Sequence, residues 1–510
     1  MVNEELKYRI LQNFGFAPTA DQLHAVEVFA RFMTDRDERA VMILRGSAGT
    51  GKTSLAGAIV RTMQELRQKV TLLAPTGRAA KVFSLNANQP AATIHRSIYR
   101  EKEFTGLDGK FNLNVNLFHD RLFMVDEASM ISLSSNNSTF GSGCLLDDLI
   151  QYVYNDHNCR MLLVGDKAQL PPVGEEESAA LRSDVLRAYG LTVYECDLNE
   201  VLRQSQDSGI LYNATVIRQM ITHDEVTQLP KIRFNGFADI SIVPGDELIE
   251  RLASSYSEVG IDETMVITRS NKRANVFNQG IRNMVLGREE ELTTGDMLMV
   301  VKNKYKNTPL PSPSINGSLN NATNNVNDLT TQATRQVTQL PSGGGKEIEK
   351  PVLTFIANGD RAVVRRVRNV REFYGFRFAD VSLEFPDYNN AEEEMTVILD
   401  ALMTEAPALT QEQNEQLFQH VLEDYEDIPL KADRMKKVRE DEYYNALQVK
   451  FGYAITCHKA QGGQWAHIYL DQGYMTDEML TPDYIHWLYT AFTRATEHLY
   501  LVNWPKTQVE

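Results

Sequence analysis

Short apolar runs alternate with polar stretches of helical period along most of the chain. Val41-Met42-Ile43-Leu44 ends at a glycine-rich turn, and apolar residues then recur at helical spacing from Lys52 to about Leu66. Further runs of strand length stand at residues 70–74, 122–125 and 161–164. Continuous apolar strands between helices predict a parallel sheet covered on both faces, so this stretch reads as a doubly wound α/β unit. Residues 99–120 break the rhythm. They are polar and turn-rich (Thr105-Gly106-Leu107-Asp108-Gly109), which predicts a small inserted hairpin.

A second α/β pattern starts near Asp197. Met265-Val266-Ile267-Thr268 predicts a strand and residues 271–286 a helix, but the matching pattern resumes only at Tyr453 and runs to Leu501. The intervening region opens β-rich, at Gly295-Asp296-Met297-Leu298-Met299-Val300-Val301, and strand patterns return at 361–370 and 376–385, which together predict a small barrel. Residues 307–346 are rich in Asn, Thr, Ser and Pro and hold almost no large apolar side chains. Such a stretch buries too little surface to offset its ordering entropy and reads as a flexible insertion loop. Residues 405–442 are acidic and helical in part, and 132–142 form a shorter polar insertion. The expected units are therefore 1–196, 197–295, 296–450 and 451–510.

Composition changes this picture little. A length of 510 residues suits three or four domains, and 43% hydrophobic with 24% charged residues supplies more than one core. The first residues lack an apolar signal core, and no stretch is apolar enough to span a bilayer, so no membrane role is expected. Cys144, Cys159, Cys196 and Cys457 are scattered, with no CxxC pair and no histidine at zinc-ligand spacing. A disulfide framework and a zinc site are not expected, and the reducing cytoplasm is the expected location. The net charge of -16 does not exclude nucleic acid, because binding needs a local basic track rather than a basic average.

The candidate chemistry begins at Gly46-Ser47-Ala48-Gly49-Thr50-Gly51-Lys52-Thr53, a full GxxxxGK[ST] between a strand and a helix. Gly46, Gly49 and Gly51 let backbone N–H groups turn inward around phosphates at a helix N-terminus. Lys52 would reach the β- and γ-phosphates, and the Thr53 hydroxyl would coordinate Mg²⁺. Next, Leu122-Phe123-Met124-Val125-Asp126-Glu127 delivers two carboxylates at the C-terminal end of a strand. Asp126 would hold the Mg²⁺ shell and Glu127 would polarise the attacking water. Alone, such a pair also serves as a helix cap. Leu163-Val164-Gly165-Asp166-Lys167-Ala168-Gln169 places Gln169 where it could sense the γ-phosphate, although a plain strand-to-loop exit reads the same way. Near the other end, Arg494 in Tyr489-Thr490-Ala491-Phe492-Thr493-Arg494-Ala495 could stabilise charge on a transferring phosphoryl group, or could be a solvated helix arginine.

Taken in order, these segments resemble superfamily-one helicases, most closely the RecD-like and Dda-like 5′-to-3′ branch, from Thr19 to Val502 with gaps at the polar insertions. The resemblance implies two RecA-like P-loop NTPase domains, the hairpin at 99–120 as a wedge, and the barrel as SH3-like and touching DNA. It implies that Gln22, in Thr19-Ala20-Asp21-Gln22, reads the adenine of ATP, and that Arg203, in Leu198-Asn199-Glu200-Val201-Leu202-Arg203, contacts the γ-phosphate together with Arg494. It implies DNA contacts from Thr76, Arg78 and Lys81, from His95, and from Thr456, His458 and Lys459 in Thr456-Cys457-His458-Lys459-Ala460-Gln461-Gly462. The implied function is an ATP- and Mg²⁺-dependent DNA helicase acting on single strands and on junctions of single- and double-stranded DNA, in replication, recombination or repair, with other proteins of those processes as further partners. Neither polar insertion matches the family. The residues leave open a translocase that strips proteins and unwinds poorly, an ATP-gated binding switch, and an RNA helicase.

Overall fold

In the computed structural model, the described residues are 2–101, 111–133, 141–155, 158–200, 207–221, 228–305, 353 and 355–510. The proposed loop at 307–346, most of the 132–142 insertion, the tip of the hairpin and Arg203 lie outside them.

The first sheet is built from β1 (Ala40–Gly46), β2 (Lys69–Ala74) and β3 (Ala91–Thr93); a hairpin of β4 (Tyr99–Glu101) and β5 (Phe111–Leu113) follows, then β6 (Arg121–Val125), β7 (Arg160–Gly165) and β8 (Thr192–Leu198). Its order is β3-β2-β6-β7-β1-β8, every pairing parallel. The apolar runs follow from this placement. Successive side chains on a strand face opposite ways, so Met42, Leu44 and Leu162 join one core with the helices Val2–Phe14, Ala20–Thr34 and Lys52–Glu65, while Val41, Ile43 and Met161 join another with the helix Leu145–Val153. β4 and β5 pair antiparallel, as a hairpin requires, and the Tyr99 hydroxyl anchors its base by donating to Asp148 Oδ2 at 2.7 Å. β8 keeps Asp197 and Leu198 in the first sheet, past the boundary at 196. Asp197 is held there by Arg45 of the neighbouring strand, Nε to Oδ1 2.6 Å and Nη2 to Oδ2 2.9 Å.

The second sheet starts with β9 (Ile240–Val243) and β10 (Thr264–Thr268). The helix expected over 271–286 is α-helical over Asn271–Gly280 and turns π-helical over Ile281–Val285. A closed barrel then interrupts the unit: β11 (Met297–Val300), the small pair β12 (Lys304–Tyr305) and β13 (Phe355–Ile356), and β14 (Arg361–Phe373), β15 (Phe376–Phe385), β16 (Ala391–Ile398) and β17 (Leu447–Phe451), the barrel closing in the order β11-β14-β15-β16-β17. Between β16 and β17 the acidic segment forms the helices Gln411–Glu423 and Lys431–Glu440. β18 (Ala454–Thr456), β19 (Trp465–Asp471) and β20 (Ala495–Val502) complete a parallel sheet of order β18-β10-β19-β20-β9.

Asp296 and Tyr453 mark the two chain crossings between this sheet and the barrel. The buried Asp296 carboxylate takes Arg282 and Arg288 at 2.9 Å each and the Tyr453 hydroxyl at 3.0 Å, so the pair of crossings is pinned at one point. Among the described residues no helix is long and apolar enough to cross a membrane, no cluster of metal-ligating side chains occurs, and the four cysteines are free.

Candidate nucleotide site and nucleic-acid track

The phosphate loop hangs between β1 and the helix Lys52–Glu65. Gly49 and Gly51 adopt φ of 77° and 78°, the left-handed region that glycine enters without penalty, and this turns the loop's N–H groups inward. A Cβ on Gly46 would lie 2.8 Å from Thr50 Oγ1 and 2.9 Å from Lys52 Cγ, so the loop closes tightly on itself. The Lys52 ammonium donates to the carbonyls of Gly46 and Ser47 and stands 3.9 Å from Asp166 Oδ2. Thr53 is exposed in the first turn of the helix. Gln22 is buried beside the loop; its amide nitrogen donates to the Thr50 carbonyl at 2.9 Å and its oxygen accepts from Thr19 N–H at 3.0 Å.

β6 brings Asp126 and Glu127 to the same edge. Asp126 Oδ1 accepts the Glu127 N–H, and Glu127 itself sits at φ 52°, a left-handed turn rare for glutamate that aims its carboxylate away from the strand line. Burial, and then the adjacent Glu127 charge, push the Asp126 carboxyl up to about 7, against the pull of Lys52 and Arg494. Two crowded carboxylates suit a hard divalent cation, which takes few protein oxygens and completes its shell with phosphate and water.

The second unit closes the site. Arg494 is buried where the helix Pro482–Phe492 meets β20; it donates to the carbonyls of Thr490 (3.1 Å) and Gly463 (3.2 Å), and its Nη1 lies 3.8 Å from Glu127 Oε1. Gln169 lies between the units: with its amide turned so that nitrogen faces the carboxylate, it donates to Glu127 Oε2 and its oxygen accepts from Arg494 Nη2, each at 3.2 Å. The structure thus brings Lys52, Asp126, Glu127, Gln169 and Arg494 to one seam.

Sequence reasoning left out several residues at that seam. The Tyr489 hydroxyl accepts the Ala48 N–H of the phosphate loop at 3.0 Å and donates to Asp166 Oδ2 at 2.6 Å. Thr490 Oγ1 accepts Leu170 N–H at 2.8 Å, Gln461 donates to the Leu170 carbonyl at 2.6 Å, and Arg218 reaches Ser47 Oγ at 2.6 Å. For Tyr489 a signal existed, because it precedes Arg494 in the same segment. For Arg218 there was none, as nothing in the pattern of its helix points to the loop.

The residues expected on DNA fall in different settings. Thr76 caps the helix Gly77–Ala87, accepting Ala79 N–H at 3.2 Å, and Gly462 (φ 72°) packs against it so closely that a Cβ would lie 2.9 Å from the Ala79 Cβ. Arg78 and Lys81 on that helix do not stand free. They face Asp387 of the barrel, at 3.7 and 3.2 Å, together with Arg361 at 3.4 Å. Burial alone raises the Asp387 carboxyl, but Arg361, Arg78 and Lys81 outweigh it and hold the group below its ordinary value. Burial pushes His95 down to about 4, so it is neutral at pH 7 and offers hydrogen bonds rather than charge. Thr456 and Lys459 line a narrow cleft with Lys450, Asn271 and Asn275, while His458 is exposed. Burial pushes Lys459 and Lys450 down to about 8, and their ammonium groups donate to the carbonyls of Pro407 and Thr404.

Both units of the chain resemble known proteins in sequence. Residues 19–229 match the family model of an AAA domain, and residues 451–502 match that of a UvrD-like helicase C-terminal domain. An uncharacterised protein of Acanthamoeba polyphaga mimivirus is 23% identical over 91% of this chain and 96% of its own length. The ATP-dependent RecD2 DNA helicase of Deinococcus radiodurans is 27% identical over 52% of this chain, and the ATP-dependent DNA helicase dda of Enterobacteria phage T4 is 24% identical over 53%. These segments span 34% and 58% of the two helicases' own lengths.

Proposed function

We propose an ATP-driven motor that moves along single-stranded DNA, on the premise that the chain is a superfamily-one helicase of the RecD and Dda type. The observation that carries the reading is the Gln169 bridge. A residue beside the phosphate loop of one unit contacts at once the carboxylate that would activate water and an arginine of the other unit. A site completed by both units is one that nucleotide can close and hydrolysis can open.

In this scheme ATP lies in the seam, its phosphates wrapped by residues 46–53 and paired by Lys52. Thr53 and Asp126 would hold Mg²⁺, which would neutralise charge developing on the phosphates. Glu127 orients and deprotonates the attacking water, and Gln169 relays whether a γ-phosphate is present. Arg494, with Arg203, stabilises charge on the transferring group. Gln22 sits at the adenine end.

Each unit holds part of the nucleic-acid track. Thr76, Arg78, Lys81 and His95 belong to the first unit; Thr456, His458 and Lys459 belong to the second. Alternating grip between them converts closure and opening into a step along one strand, in the 5′-to-3′ sense of the RecD and Dda likeness. The hairpin based on β4 and β5 is the wedge at a junction of single- and double-stranded DNA, so translocation unwinds duplex. Replication, recombination or repair is the setting, and other proteins of those processes are the partners.

The test is ATP hydrolysis with and without single-stranded DNA, alongside Lys52→Ala. Strong stimulation, abolished by the substitution, is expected, and forks with 5′ or 3′ tails then report polarity. Hydrolysis indifferent to DNA would sink the motor reading in favour of an ATP-gated binding switch.

A further inference from the structure

The helix Gly209–Ile221 packs along the helix Pro482–Phe492 in the second unit and sends one side chain across the seam. Arg218 Nη1 donates to Ser47 Oγ at 2.6 Å. Among the described residues no carboxylate forms an ion pair with this guanidinium, and it is half-buried. A half-buried arginine whose partner here is a neutral hydroxyl would make a stronger, charge-assisted hydrogen bond to an anion.

The place where that anion would sit is defined by Lys52. The ammonium that reaches the β- and γ-phosphates in loops of this type rests here on the carbonyls of Gly46 and Ser47. Arg218 contacts Ser47, so it stands at the same end of the loop. Tyr489, from the adjacent helix, holds the next residue, Ala48, and its hydroxyl also reaches Asp166, which faces Lys52. The second unit therefore touches two consecutive loop residues at the end that receives the terminal phosphates. Arg494 does not reach this point, being tied to Glu127 and Gln169 on the water side.

We infer that Arg218 is a phosphate-binding residue of the second unit, exchanging the Ser47 hydroxyl for an oxygen of the terminal phosphate when a nucleoside triphosphate binds. The inference rests on the nucleotide-site reading above and adds to it a residue that tells triphosphate from diphosphate. Its planar fork suits a phosphate face, and its position on a helix packed against the helix that leads to Arg494 couples phosphate occupancy to movement of the second unit.

The experiment is equilibrium titration of the full chain with fluorescent ATPγS and fluorescent ADP, in the wild type and in Arg218→Gln, Arg218→Lys and Lys52→Ala. Arg218→Gln removes the charge and shortens the side chain while keeping it polar. It is expected to weaken ATPγS binding about tenfold, the scale of one charge-assisted contact, and ADP binding less than about twofold. Arg218→Lys, which keeps the charge without the fork, should recover part of the loss. The inference is overturned if Arg218→Gln binds ATPγS normally, or if it loses both nucleotides equally, since the arginine would then only hold the loop. Loss of nucleotide discrimination in Arg218→Gln together with unaffected binding in Lys52→Ala would instead count against the phosphate-loop reading itself.

Discussion

The carboxylate of Asp387, in the short turn after β15, lies 3.2 Å from the ammonium of Lys81 on the helix Gly77–Ala87. One oxygen, Oδ1, meets Lys81, Arg361 and Arg78, while Oδ2 and the Nε atoms of Arg78 and Arg361 are buried without a hydrogen-bond partner. A partly satisfied buried network is costly and exchanges readily for a better partner. If Arg78 and Lys81 belong to the proposed nucleic-acid track, Asp387 competes with a strand phosphate for them.

Replacing Asp387 with Asn removes the competing charge. The Asp387→Asn variant is expected to bind single-stranded DNA about three- to tenfold more tightly at low salt, with a steeper salt dependence from the additional phosphate contacts. The same variant should show faster amide exchange at residues 386–388, because the barrel loses its anchor on the first unit. Unchanged or weaker DNA binding, measured by anisotropy across a salt series, would mean that the cluster only ties the barrel down.

Glu127→Gln keeps the shape of the site and removes the base. Turnover is expected to fall at least about a hundredfold while ATP and single-stranded DNA still bind. Single-turnover hydrolysis and filter binding on one preparation separate the two effects. DNA affinity falling in step with hydrolysis would contradict the division of roles.

The Gln169 bridge joins two charged partners, and contacts of that kind are worth about 1.5–3 kcal/mol each. Gln169→Ala is therefore expected to lower DNA-stimulated kcat about tenfold or more, with the KM for ATP and the unstimulated rate changing far less. Equal losses in stimulated and unstimulated turnover would place Gln169 in hydrolysis itself rather than in coupling.

A pH dependence follows from Lys459 and Lys450, which burial lowers to about 8. Both carry charge below that value and lose it above, so any contact they make with phosphate is present at pH 7 and fades toward pH 9. Single-stranded DNA affinity is expected to fall over that range and to fall less in Lys459→Arg, whose side chain stays charged. Parallel pH profiles for the two proteins would remove Lys459 from the track.

Much of this architecture was legible in the chain because it rests on local rules. Apolar runs such as Val41-Met42-Ile43-Leu44 are long enough only for strands buried on both faces, and the loop at 46–53 carries its own conformational demand in Gly49 and Gly51. The barrel strands at 361–373 and 376–385 announced themselves in the same way. Short elements were not legible: β3 is three residues long, and β8 is only partly buried at the sheet edge, so neither has a pattern strong enough to read.

The sequence by itself determined the parallel sheets, the phosphate loop and the order of the charged residues that follow it, since each depends on neighbours a few positions away. Only the tertiary structure decided which of those residues meet. That Gln169 bridges Glu127 and Arg494, that Arg218 and Tyr489 reach the loop, and that Arg78 and Lys81 face Asp387 are contacts between residues far apart along the chain. The physical reason is that side-chain periodicity records which face of an element is buried, whereas pairing across a seam depends on how two separately folded units are set against each other.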